Sequence, residues 1–154
     1  MQHYDKKHLF TFGGEHKRFT AGTERVVVNF RGVRILLEVC YDLRFPVWSR
    51  NLGDYDMILY VASWPTPRVD AWSALLRARA IDNQCYVAGV NRMGTDPACE
   101  YSGGSAIIDP YGKTIAECPW SRESAVSADI DMEALQAFRK KFPVLDDADP
   151  FTLI

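Results

Sequence analysis

The stretch Glu38-Val39-Cys40-Tyr41-Asp42-Leu43-Arg44-Phe45-Pro46 places a thiol where an apolar run, Val33 to Val39, gives way to charge and proline. A cysteine thiolate is a strong nucleophile wherever its surroundings favour the charged form. Two readings of Cys40 compete. Cysteine is among the most frequently buried residues and commonly behaves as a small hydrophobe, so composition favours a core residue. Position favours a nucleophile. A buried strand stops at Cys40 and a helix is about to begin, so the backbone N–H groups after it point at whatever binds there, a setting expected to lower the thiol pKa. Cys85 reads as core, and Cys99 and Cys118 as loop residues. Other chemistries find little support. No G-x-x-x-x-G-K-[ST] or G-x-G-x-x-G cradles a phosphate. His3, His8 and His16 lack ligand spacing, so no metal is expected. Cys40 to Arg44 is too short for a cysteine-phosphatase loop, and cysteine-protease signatures are absent.

The elements that must position Cys40 alternate in type. Glu24 to Phe30 and Val33 to Val39 flank Arg31-Gly32 and read as a hairpin. Pro46 suits the first position of a short helix over Val47 to Asn51, closed by Gly53. Met57 to Ala62 is continuously apolar, the pattern of a strand buried on both faces. Ala71 to Asp82 is rich in helix formers, with Trp72, Leu75, Leu76 and Ala80 at helical spacing. Cys85 to Val90 returns to strand. This alternation predicts an α/β layered domain. Further on, Ser105 to Asp109 and Lys113 to Ala116 read as a second hairpin around Asp109-Pro110-Tyr111-Gly112. Ala125 to Ile130 alternates like a half-buried strand. Asp131 is placed to cap a helix from Met132 to about Lys141, with Glu133 early and Arg139, Lys140 and Lys141 late. Phe142 to Ile154 reads as an extended surface tail.

Composition bounds the rest. A chain of 154 residues, 47% hydrophobic and 25% charged, fits one globular domain with a core of its own. No apolar run is long enough to span a membrane, and Met1 to His8 lacks the apolar segment of a signal peptide. A net charge of −2 with mixed signs gives no nucleic-acid footprint. Four cysteines without C-x-x-C spacing read as reduced thiols of a cytoplasmic protein.

Five ordered blocks carry a resemblance. "YDKKHLF" (4–10), "VCYDLRFPVWSRN" (39–51), "LYVASWP" (59–65), "RARAIDNQCYVAGVNR" (77–92) and "GGSAIIDPYGKTIAE" (103–117) resemble the nitrilase superfamily of carbon–nitrogen hydrolases. Within it the likeness is greatest to bacterial omega-amidases, which hydrolyse the terminal amide of 2-oxoglutaramate and similar short monoamides. The resemblance makes residues 1–154 one carbon–nitrogen hydrolase domain. It implies Cys40 as nucleophile, Lys6 as catalytic lysine and Glu15 as the glutamate that helps position the site. Lys6 and Glu15 alone would read as solvated residues.

The implied mechanism is covalent. The Cys40 thiolate attacks the amide carbon, and Lys6 with the Tyr41 backbone N–H stabilises the oxyanion. Ammonia leaves, and water activated by a general base hydrolyses the thioester. No cofactor is implied. Trp64 either walls the substrate pocket or packs as a core tryptophan. Asp42 and Arg44 are expected to brace the elbow as an ion pair. The resemblance also implies a general-base glutamate on a strand well before the lysine, whereas this sequence starts five residues before Lys6. The expectation is therefore a partial α-β-β-α sandwich, the C-terminal portion, lacking its N-terminal strands and helices and silent or nearly so alone. The partners implied are a small-molecule amide and further copies of the chain, paired through 46–51 and 142–154. Two alternatives stand beside it: a non-catalytic interaction or assembly subunit, and an N-carbamoyl amidohydrolase or nitrilase.

Overall fold

Val27–Phe30 (β1) and Val33–Val39 (β2) pair antiparallel around Arg31-Gly32, as the sequence predicts. Both turn residues have positive φ (51° and 84°), which a tight two-residue hairpin requires. The computed structural model describes residues 2–152. Met57–Ala62 (β3) lies parallel to β2, and Tyr86–Asn91 (β4) parallel to β3. The helix Val69–Asp82 (α1) makes the crossover between them. Two short strands, Met93–Thr95 (β5) and Glu100–Ser102 (β6), form a separate hairpin. Ala106–Ile108 (β7) and Thr114–Glu117 (β8) then complete a six-stranded sheet in the order β1-β2-β3-β4-β7-β8.

One face of this sheet holds the core. Register places Leu36, Ile58, Val87 and Ile108 in one row, with Glu38, Tyr60 and Gly89 in the next. Trp72, Leu76 and Ala80 of α1 pack on them. Gly89 is required there, since a Cβ would stand 2.5 Å from a Leu76 methyl and 2.8 Å from the Trp72 ring. The opposite face is open, with Val61 46% and Val90 49% exposed. Met57–Ala62 is thus buried on one face only. Its unbroken apolar run identified the strand correctly but not its surroundings.

Met132–Lys141 (α2) begins at Asp131, whose side chain accepts from the Ala134 N–H at 2.8 Å, the expected cap. Arg139 ties it to the amino ends of the central strands β3 and β4, donating to the Gln84 and Tyr55 carbonyls and to Asp56 at 2.9–3.0 Å.

Three local expectations are corrected. Residues 46–51 form no helix. Pro46 opens successive turns closed by Trp48 N to Phe45 O and Arg50 N to Val47 O, and Asn83 Oδ1 captures the Asn51 N–H at 2.8 Å. The helical turn lies earlier, a 3-10 helix over Cys40–Arg44. Ala125 to Ile130 pairs with no strand, and only Ala128 and Ile130 are half-buried. Its alternation reports one-sided contact rather than a ladder. The tail is not wholly extended: Val144–Asp147 winds into a 3-10 turn, while Leu153 and Ile154 lie outside the described residues.

Candidate active site

At the carboxyl ends of the parallel strands, the position where open α/β sheets bind ligands, a cleft of about 760 Å³ opens on the side away from α1. Cys40, Lys6 and Glu15, far apart in sequence, all line it, with Ser63 from the end of β3 and Cys99 and Tyr101 from the β5–β6 hairpin.

Cys40 sits at a strained corner. Strand alternation would carry it to the side of Leu36 and Glu38, but β2 ends there with φ 50° at Cys40. A non-glycine residue in that region is disfavoured by about 1–2 kcal/mol. The side chain touches the core on one side and the cleft on the other. The N–H groups of Cys40 and Tyr41 open the 3-10 helix and have no partner within it. The Cys40 Sγ lies 4.0 Å from the Ser63 carbonyl.

Asp42 builds the corner. Fully buried, it accepts from the Val39 N–H (3.1 Å), the His8 N–H (2.8 Å) and the Tyr4 hydroxyl (2.9 Å), and lies 2.9 Å from His8 Nδ1. The Tyr4 oxygen in turn accepts from Trp48 Nε1 at 3.0 Å. Burial and the Asp42 charge hold the Tyr4 phenol well above its ordinary pKa, so it remains a donor. The His8 ring stacks on Phe45 with centroids 3.8 Å apart. These contacts strap residues 4–10 across the elbow. From the other side, Arg79 of α1 donates to the Leu43 carbonyl at 2.6 Å. The expected Asp42–Arg44 ion pair does not form. Arg44 is exposed and lies over the Trp64 ring at 5.0 Å, leaving Asp42 to the strap.

The strap delivers Lys6. Its Nζ donates to Glu15 Oε2 at 2.6 Å, and the same oxygen accepts from the Phe10 N–H at 2.7 Å. Burial alone would raise the Glu15 carboxyl, but these two hydrogen bonds and the lysine charge bring it below its ordinary value, keeping it anionic. Gly22 backs the strap by donating from its N–H to the Lys6 carbonyl at 2.9 Å. A Cβ on Gly22 would lie 2.0 Å from the Asp5 carbonyl oxygen.

Two sequence expectations fail here. The Cys40 thiol is not acidified: burial raises its pKa above the ordinary value of 9.0, and the Lys6 charge and Ser63 contact recover only part of that. Trp64 does not wall the cleft. It is 3% exposed, packs against Trp72 and donates from Nε1 to the Arg68 carbonyl at 2.7 Å, while its neighbours Ser63 and Pro65 reach the surface of the cleft. Asn91 fixes that loop, accepting from the Trp64 N–H and donating to its carbonyl.

Sequence reasoning missed Tyr4, His8, Arg79 and the β5–β6 hairpin. Tyr4 and His8 stand two residues either side of Lys6 in the block 4–10, and Arg79 stands in the block 77–92, which was a usable signal. The hairpin carried none. All four cysteines are free thiols.

An α/β layered fold with a cysteine at a strand-to-helix corner, beside a half-buried lysine–glutamate pair, defines the architecture. The carbon-nitrogen hydrolase family model matches residues 1–140, and the chain belongs to that family. It is 55% identical over 151 residues to the omega-amidase YafV of Escherichia coli (strain K12), covering 97% of this chain and 59% of that protein. It is 41% identical over 149 residues to a 2-oxoglutaramate amidase of Bacillus subtilis, covering 96% and 57%. The structure superposes with a TM-score of 0.95 on XC1258 of Xanthomonas campestris, a CN-hydrolase superfamily protein. The two share 48% identity, covering 99% of this chain and 60% of that one. The chain therefore spans about three fifths of the length of these relatives.

Proposed function

We propose that the chain supplies the nucleophile side of an omega-amidase that cleaves the terminal amide of a 2-oxoglutaramate-like substrate through a cysteine thioester. The observation that carries this reading is the convergence of Cys40, Lys6 and Glu15 on one cleft. Kinship with enzymes of that activity supports it. Cys40 attacks the amide carbon. Lys6, oriented by Glu15, faces the developing oxyanion together with the Tyr41 N–H. The C–N bond of the tetrahedral adduct then breaks as the base returns the thiol's proton to the amide nitrogen, which leaves as ammonia, and water cleaves the remaining thioester to the carboxylate and free thiol.

The general base is a glutamate that the described cleft does not present. Glu15 is the single glutamate among its lining residues, and it is committed to Lys6 and Phe10. In this reading the base belongs to a further part of the sandwich, of which this chain forms the C-terminal portion, or to another chain. The raised thiol of Cys40 agrees with a nucleophile awaiting its base. The reading includes self-association of a cytoplasmic enzyme. Val47 and Leu52, like Phe142 and Phe151, are exposed apolar residues in or beside the two segments assigned to pairing. A non-catalytic assembly subunit is the second reading, favoured by the open sheet face at Val61 and Val90.

Ammonia release from 2-oxoglutaramate decides between them. The 154-residue chain alone is expected to be slower than a complete enzyme by about two to four orders of magnitude, the worth of a general base. Residual turnover that disappears in Cys40→Ala supports the amidase. A chain with no turnover, alone or mixed with a relative's N-terminal portion, supports the assembly role.

A further inference from the structure

A substrate with a carboxylate at the far end from its amide needs a cation in or beside the cleft. The lining residues are unfavourable to an anion, since Asp5 and Glu15 stand against a single ammonium, Lys6, which Glu15 already engages. Within this chain, the cations available to it stand at the rim.

Three arginines lie against aromatic rings around this cleft. Arg44 covers Trp64, a buried ring that does not face the cleft. Arg92 covers the cleft-lining Tyr101 at 4.4 Å, but Asp96 stands 3.7 Å from its Nη1. Arg68 covers Phe10 at 5.6 Å, and Phe10 lines the cleft and donates its N–H to Glu15. Among the described residues no carboxylate lies within 4.0 Å of the Arg68 guanidinium. Lys17 and Arg18 line a neighbouring recess instead.

The Arg68 backbone is also fixed. It closes the 3-10 turn Thr66–Arg68 at the head of α1, and its carbonyl accepts the Trp64 indole N–H at 2.7 Å. Pro65, one turn earlier, lines the cleft. A guanidinium resting on a ring is held by cation–π attraction without losing its planar donor fork, which matches a carboxylate bidentately.

We propose that Arg68 is the specificity-determining residue that binds the substrate's distal carboxylate, with Phe10 as its platform. This inference rests on the amide-hydrolase reading above and names the residue through which this chain would select a dicarboxylate monoamide over a neutral amide. It also gives a role to the rim loop that separates β3 from α1. Because the fold uses the backbone of Arg68 and the recognition uses its side chain, the two are separable by substitution.

Binding of succinamate and of the neutral butyramide is measured calorimetrically on the full chain carrying Cys40→Ala, where neither is turned over. Succinamate is expected to bind more tightly than butyramide. Arg68→Gln is expected to weaken succinamate by about 10- to 100-fold, the worth of a charge-assisted pair, and to leave butyramide unchanged. Arg68→Lys should fall between, and Arg92→Gln should change neither. Unaltered thermal melting of each variant establishes that the fold is intact. Undiminished succinamate binding by Arg68→Gln overturns the role of Arg68 while leaving the amidase reading standing. Equal binding of the two amides by the parent overturns carboxylate recognition itself. Binding of neither overturns the amide-hydrolase reading, and the Arg68 role falls with it.

Discussion

The two faces of the central sheet are built from similar residues and do different things. On the α1 side, Leu36, Ile58, Val87 and Ile108 meet Trp72, Leu76 and Ala80 with almost no exposed surface. On the other side Val39, Val61 and Val90 stay partly or largely open, and the cleft begins where that face ends. The packed face fixes the strands, and the unpacked one leaves room for a ligand at their carboxyl ends. Cys40 stands at the junction, touching both. Rigidity on one side is what allows a strained backbone at the other.

The sharpest way to break this comparison is to cut both faces. Leu76→Ala is expected to cost about 2–5 kcal/mol, since it leaves a cavity under the sheet. Val61→Thr should stay within about 0.5 kcal/mol, as for other exposed positions. Urea unfolding of each variant measures the contrast, and comparable losses would mean that the open face is also packed in solution.

Glu38 tests the packed face electrostatically. It is 1% exposed, neither carboxyl oxygen has a hydrogen-bond partner, and the nearby Tyr60 hydroxyl has none either. Burial raises its pKa from 4.5 to about 8, opposed by the neighbouring Tyr60 hydroxyl and reinforced by the Asp42 charge. The folded chain therefore holds a proton that the unfolded chain releases between these values. Stability should fall as pH rises from about 4.5 to about 8 and level off above, by on the order of a few kcal/mol. Glu38→Gln should flatten that window. Urea midpoints across pH 5 to 9 provide the check, and an unchanged slope in Glu38→Gln would place the titrating group elsewhere.

At the junction the expected effects are smaller. Cys40→Gly should be about 1 kcal/mol more stable than Cys40→Ala, the reverse of the usual order, because glycine accepts φ 50° without strain. Thermal denaturation of the two variants reads this directly. Iodoacetamide should modify Cys40, which opens to the cleft, faster than the fully buried Cys85, whose thiol burial raises much further. Labelling of Cys40 should keep accelerating above pH 9, since its pKa is raised. Lys6→Met should slow it a few-fold at fixed pH by removing the favourable charge, and peptide mapping across a pH series follows both effects.

How far the site was legible follows from what each signal is made of. Cys40 and Lys6 could be named because each stands in a block of distinctive spacing, and Glu15 because the resemblance carries a glutamate at that distance after the lysine. Trp64 had no such constraint, and its indole found the core through Trp72 and the Arg68 carbonyl. The acidity of Cys40 was misjudged because sequence gives the charge nearby but not the depth of burial, and depth dominates here.

The sequence by itself determined the β1–β2 and β7–β8 hairpins, α1, the capped α2 and the parallel run of strands, because hydrophobic period, turn chemistry and capping are local properties. Only the tertiary structure decided that residues 46–51 would be turns, that Ala125 to Ile130 would pair with nothing, and that one face of β3 would stay open. It alone brought Asp42 to Tyr4 and His8, and Arg79 to the elbow. Those outcomes depend on which distant partner captures a backbone amide or fills a space, and no local pattern records the identity of a partner chosen by the whole fold.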